Sequence, residues 1–301
     1  MIPKFRHKKQ YLGHRGAIFC LQSDGEAGFY SCGGDGLLVH WSNLNHADGQ
    51  VIAQVEQTVY SCLVQEKRQN ILFGKLDGSL TWVQQNQVLF NKKVHQKGIF
   101  DLVELDEYFL SLGGDGQLGV WSKNQPGQVF LQKISEQALR TALLDPFKAK
   151  IYLGGSDGHL YVLNAQTLQI EQHIEQAHQS SVFTLCKHPE QPVLFSGGRD
   201  NMIRSWNMDS LKPLQAVPAH AATVNHLMPG PQGVLFSAGR DKEIRIWDIN
   251  SLELKQVLKS PRDHGHVNSV NRLWWSDDLA CLCSAGDDRS IIRWEILPLN
   301  S

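Results

Sequence analysis

Apolar residues along this chain fall in short runs that alternate with polar positions. Examples are Ile18, Phe19 and Leu21 after His14, and Val182, Phe183 and Leu185 after His178. Alternation over so short a stretch marks a half-buried strand. The flanking residues predict strands joined by hairpins. Gly28-Phe-Tyr-Ser31 and Leu37-Leu-Val-His-Trp41 are β-rich and are separated by Asp35-Gly36. Asp77-Gly78, Asp115-Gly116 and Asp157-Gly158 repeat that pair, which suits tight turns that need φ > 0. No amphipathic segment of helical length stands out, so the chain is read as all-β.

The strand pattern repeats. Ser31-Cys-Gly-Gly-Asp35 is followed six residues later by Trp41. Ser111 to Asp115 with Trp121, Ser196 to Asp200 with Trp206, Ser237 to Asp241 with Trp247, and Ser284 to Asp288 with Trp294 repeat the block. Two weaker copies end at Asp77, with Val83 in the Trp position, and at Asp157, with Leu163 there. The seven aspartates lie 38 to 47 residues apart, the period of a four-stranded propeller blade. His14, His95, His178, His220 and His266 precede the five strong copies by 20 to 22 residues.

With Gly13-His14, Gly265-His266 and the single Trp247-Asp248 pair, the chain resembles the WD40 repeat family over essentially its whole length. The resemblance implies a seven-bladed β-propeller of four-stranded antiparallel blades, with residues 1–301 as one domain. It also implies one buried hydrogen-bonded set per strong blade. These are His14/Ser31/Asp35/Trp41, His95/Ser111/Asp115/Trp121, His178/Ser196/Asp200/Trp206, His220/Ser237/Asp241/Trp247 and His266/Ser284/Asp288/Trp294. A buried carboxylate is costly unless charge-assisted donors meet it, and the histidine and hairpin amides can supply them. Blades two and four lack the set and are expected to depend more on apolar packing. Ser, His and Asp together invite a catalytic-triad reading. Five copies at fixed spacing mark a structural part instead, and no catalytic residue is assigned. Only seven residues follow Trp294, so the last blade needs an outer strand from elsewhere. Residues 5–12 are expected to supply it, and Lys4, Arg6, Lys8 and Lys9 to protect that exposed edge.

Composition narrows the function. With 29 basic and 30 acidic residues the formal charge is −1, which makes nucleic acid an unlikely partner. No apolar run approaches the roughly 20 residues that span a bilayer, and residues 1–10 do not resemble a secretory signal. The six cysteines are expected to be free thiols in a reducing compartment, by default the cytoplasm. Cys281-x-Cys283 and His264-x-His266 lack further ordered ligands, so no metal is expected. Gly33-Gly34-Asp35-Gly36 is a hairpin turn with no phosphate-loop lysine, and no cofactor is expected.

The family resemblance implies that partners dock on the face whose loops enter the innermost strands, and that three positions per blade reach it. Five residues after the His stand Phe19, Tyr60, Phe100, Arg140, Phe183, Asn225 and Asn271. Before each Asp stand Gly34, Leu76, Gly114, Ser156, Arg199, Arg240 and Asp287. Three residues after the His the side chains are small, from Ala17 to Ser269. The phase in blades two and four is the weakest, because neither has the His. Aromatics and arginines on one face resemble a protein-binding hot spot. The expected function is a non-catalytic scaffold for proteins or peptides, with acidic or phosphorylated segments clamped by Arg199 and Arg240. Two alternatives stand beside it: phenylalanines that merely plug the channel mouth, and a small-molecule-binding or hydrolytic site at the central channel.

Overall fold

The computed structural model describes residues 2–46, 48–65, 70–85, 87–125, 127 and 129–297. Twenty-eight strands, β1 to β28 in chain order, pair into seven four-stranded antiparallel sheets. Blades one to six take four consecutive strands each. Blade seven takes β26 (Val270–Ser276), β27 (Cys281–Gly286) and β28 (Ile291–Ile296), then receives β1 (Phe5–Tyr11) on the free edge of β28. Phe5 stands opposite Ile296 and Tyr11 opposite Ile291, which closes the ring as the strand count requires.

The closing strand is held at both ends. Phe5 is buried and packs edge-on against Phe236 of blade six, ring centroids 5.2 Å apart. The Gln256 amide accepts from the Phe5 N–H at 2.8 Å and donates to its carbonyl at 2.7 Å. At the other end the Tyr11 hydroxyl donates to the Leu44 carbonyl of blade one. Burial of a large side chain such as Phe5 or Tyr11 stabilises by about 2–3 kcal/mol, so these anchors add to the ladder in holding the ring closed. Between them Arg6 and Lys8 bind Glu295 at 2.6 and 3.1 Å.

The core lies between the blades rather than within one layer. Seven apolar clusters occupy the seven contacts between neighbouring sheets. Trp41, Trp82, Trp121 and Trp294 are among the largest fully buried side chains. Each pleated blade thus buries both faces, one against each neighbour, which is why its two middle strands read as nearly continuous apolar runs.

The innermost strands are β2 (Ile18–Ser23), β6 (Val59–Gln65), β10 (Ile99–Glu104), β14 (Leu139–Asp145), β18 (Val182–Lys187), β22 (Val224–Pro229) and β26. In every one the pairing register slips just after the first residue. A bulge leaves one residue out of the ladder and re-aims its side chain. Here that residue is the second of the strand, at the same end of all seven blades.

Candidate partner-binding face

Five blades carry an unbroken hydrogen-bonded set. In blade six His220 Nδ1 lies 2.8 Å from Asp241, its Nε2 lies 2.7 Å from Ser237 Oγ, and the Trp247 indole donates to that oxygen at 2.9 Å. Asp241 also accepts the Ala221 amide at 2.8 Å. The sets at His14, His95, His178 and His266 repeat this geometry. Burial pushes the Asp35 carboxyl up, but the His14 ring and the Arg15 amide outweigh it and hold it at about 2. Asp288 is likewise held at about 2, with His266, Ser290 and the Val267 amide overcoming burial. Burial lowers the pKa of His95 and of His178 below the usual histidine value, against the pull of their aspartates.

Blades two and four, expected to depend more on apolar packing, also give their aspartates hydrogen-bond donors. In blade four Asp157 accepts from the Ser135 hydroxyl and, at 2.7 Å, from the Tyr161 hydroxyl. Two hydroxyls replace the histidine's role. In blade two, among the described residues, Asp77 accepts only from its neighbour Ser79, amide and hydroxyl, both at 2.9 Å. A separate network of Lys75, Thr81 and Asn91 lies beside it at 3.0–3.1 Å. Trp82, one residue before the expected Val83, fills the contact with blade three and donates weakly to Asn70 at 3.4 Å.

The top face is organised by a bond repeated in every blade. The amide of the residue before each aspartate donates to the carbonyl two residues before the bulge. The pairs are Gly34 to Ala17, Leu76 to Thr58, Gly114 to Gly98, Ser156 to Ala138, Arg199 to Ser181, Arg240 to Thr223 and Asp287 to Ser269, at 2.7–2.9 Å. The hairpin between the second and third strands of each blade is therefore tied to the bulge beside it. Phe19, Tyr60, Phe100, Arg140, Phe183, Asn225 and Asn271 all occupy the bulge and all are half-buried. Blades two and four keep the same phase although they lack the histidine.

Five of these residues form a continuous arc. Phe19 packs on Tyr60 at 5.2 Å between centroids, and Tyr60 on Phe100 at 5.3 Å. The Arg140 guanidinium then lies 4.0 Å from the Phe100 centroid and 5.3 Å from that of Phe183. The rings pack on one another sideways and keep part of their surface open. Leu76, 48 % exposed, stands on the hairpin of blade two beside them.

Blades six and seven use the bulge differently. Asn225 donates to Ser269 Oγ and to the Val270 carbonyl, both at 2.9 Å. Asn271 donates to the Ile18 carbonyl at 3.0 Å and to Asp287 at 2.7 Å. These amide donors stitch neighbouring blades together across the ring. Arg199 and Arg240 are exposed, and among the described residues neither has an ion-pair or side-chain hydrogen-bond partner. Lys97, two residues after His95, is exposed on the same face with no such partner among the described residues. It falls outside the three position classes, and only the loop geometry reveals it.

Beyond the bulge the inner strands carry Asp101, His226 and Arg272. Asp101 accepts the Ala142 amide at 3.0 Å and His226 the Leu273 amide at 3.3 Å, so both bind the next blade. Burial raises the Asp101 carboxyl and lowers His226, with the Arg272 charge acting on both. Among the described residues no group of three or more His, Cys, Asp or Glu is placed to hold a metal ion.

The profile of the WD domain, G-beta repeat family matches residues 169–207, 211–248 and 255–295. Those segments of the seven-bladed propeller are WD40 repeats. The matched segments are blades five to seven with their connections, which include three of the five complete sets. The crystal structure of the WD40 β-propeller domain of Doa1 superposes with a TM-score of 0.83 over 98 % of each chain, at 18 % identity. That likeness concerns the fold. A striatin homolog of Dictyostelium discoideum is 25 % identical over 46 % of this chain and 19 % of its own length. The human THO complex subunit 6 is 22 % identical over 42 % of this chain and 39 % of its own length. The mouse pre-mRNA-processing factor 19 is 33 % identical over 26 % of this chain and 15 % of its own length. The WD40 chain thus spans well under half of each of these relatives. No helix among the described residues is long and apolar enough to cross a membrane.

Proposed function

We propose that this protein is a non-catalytic platform that binds partner proteins or peptides on the face carrying the seven bulges. The arc of Phe19, Tyr60, Phe100, Arg140 and Phe183 carries the proposal. Half-buried aromatics locked against one another offer large contact area at little entropy cost, and an arginine among them adds directional donors. Exposed Leu76 extends the apolar side, and Arg199 and Arg240 extend the basic side. A partner segment with apolar side chains followed by acidic or phosphorylated groups is complementary to that order. A relative named as a subunit of a complex supports an assembly role. The near-neutral charge argues against nucleic acid, and six buried free thiols suit a reducing compartment such as the cytoplasm.

The test is photo-crosslinking in native lysate from two positions. One is Leu76 on the bulge face. The other is Phe147, 93 % exposed on the turn that follows β14 at the opposite end of the blade. Crosslinks from position 76 that disappear in a folded Phe100→Ala/Phe183→Ala variant are the expected result. Crosslinks from position 147 alone would move the site to the opposite face and overturn the proposal.

A further inference from the structure

Arg140 is an unusual residue to find half-buried. Its Nε donates to Ser156 Oγ at 2.7 Å, which leaves the four N–H groups of its terminal nitrogens with no acceptor among the described residues. No carboxylate forms an ion pair with it among those residues. Phe100 and Phe183 flank the guanidinium and limit its motion. On the next blade Arg199 occupies the position equivalent to Ser156, exposed and likewise unpaired. The Ser181 hydroxyl, at 3.5 Å from the Ser156 carbonyl, links the two hairpins. Burial lowers the Arg140 pKa, Tyr60 opposes that, and the Arg199 charge adds to it. Glu136, on the loop that enters blade four, is occupied by Lys133 at 3.2 Å.

Two guanidiniums without counter-charges, one of them held between rings, call for an acceptor with two negative charges. A single carboxylate satisfies one fork. A phosphoryl group near neutral pH carries about two charges and three acceptor oxygens, enough for both. We propose that Arg140 and Arg199 form a subsite for a phosphorylated side chain of a partner segment, whose apolar residues lie along Tyr60, Phe19 and Leu76. This rests on the platform reading above and deepens it. It also moves the anion clamp from the Arg199/Arg240 pair, expected from their places on adjacent blades, to Arg140/Arg199. Arg240 and Lys97 flank the subsite on the outer two of four consecutive blades and add longer-range attraction.

The experiment titrates the intact protein with phenyl phosphate, benzoate and phenol, following the Arg Nε–Hε signals by NMR. Phenyl phosphate is expected to shift Arg140 and Arg199 saturably, at least about tenfold tighter than benzoate, a factor that corresponds to one extra charge-assisted contact of about 1.4 kcal/mol. Arg199→Gln should remove that preference, and Arg140→Lys, which keeps the charge but not the fork, should weaken it several-fold. A peptide pool with a fixed phosphoserine should then be retained over the same pool with serine or glutamate. Equal affinity for phenyl phosphate and benzoate, absence of shifts at both arginines, or an undiminished preference in a folded Arg140→Gln/Arg199→Gln variant would each overturn the proposal. Tighter retention of an RNA oligomer or of phosphoinositide vesicles than of the phosphoserine pool would overturn it as well. The crosslink from position 76 is independent of phosphate, so loss of the phosphoryl preference with that crosslink intact condemns this subsite and not the platform.

Discussion

Blade six and blade four solve the same structural problem with different residues. Blade six holds Asp241 with a buried histidine, a serine beneath it and a tryptophan behind, and its bulge residue Asn225 is spent on the neighbouring blade. Blade four holds Asp157 with two hydroxyls, and its bulge residue Arg140 has most of its donors free. The repeat unit therefore tolerates the loss of its signature where a hairpin aspartate still finds donors. Blade four departs from the signature and presents a half-buried guanidinium with free donors, while blades five and six keep the signature and present exposed Arg199 and Arg240. Framework and binding surface are separable, residue by residue, within one 42-residue unit.

That contrast can be broken by stability measurements. His220→Ala should have the largest effect. It leaves the Asp241 carboxylate and the Ser237 hydroxyl short of a partner in a buried site, which costs about 2–3 kcal/mol, read as a lower urea midpoint. Tyr161→Phe removes one of two hydroxyl donors to Asp157 and should cost about 1 kcal/mol. Equal losses in the two variants would mean that the hydroxyl pair is a full substitute and the blades do not differ. Asn225→Ala should also cost about 1 kcal/mol yet leave the crosslink from position 76 unchanged. Loss of that crosslink at unchanged stability would place Asn225 in the binding surface after all.

The pH dependence should be the most gradual effect. His95, His178 and His226 have pKa values lowered in the fold. Below the unfolded value of about 6.5 the unfolded chain takes up protons that the folded chain refuses. Stability is then lost as the pH falls below about 6.5. A second loss should begin below about 3.9, as the pH falls toward the folded value of about 2 for Asp35 and Asp288. Urea midpoints that stay flat between about pH 7.5 and 5 would contradict the first step, and His226→Gln should shrink it.

The aspartate period, the Asp-Gly turns and the His/Ser/Asp/Trp spacing are local features, legible because each hairpin makes its own turn and each set closes within 28 residues. The need for an outer strand on blade seven is legible too, since it follows from counting residues after Trp294. Position along the strand also identifies the residues at the bulge. What those residues do there is not legible. Phe100 and Phe183 hold Arg140 from blades on either side, Asn271 reaches the Ile18 carbonyl across the ring closure, and Tyr161 stands in for a histidine that the pattern would seek elsewhere. The first is built by chain about 42 residues away and the second by chain about 250 away, while the third is a local substitution four residues from its aspartate that the repeat pattern does not look for. The sequence by itself determined the unit, its count and its hinge points, because those depend on backbone preference and burial within one blade. Only the packing of blade against blade decided which side chains are satisfied and which still face outward with donors to give.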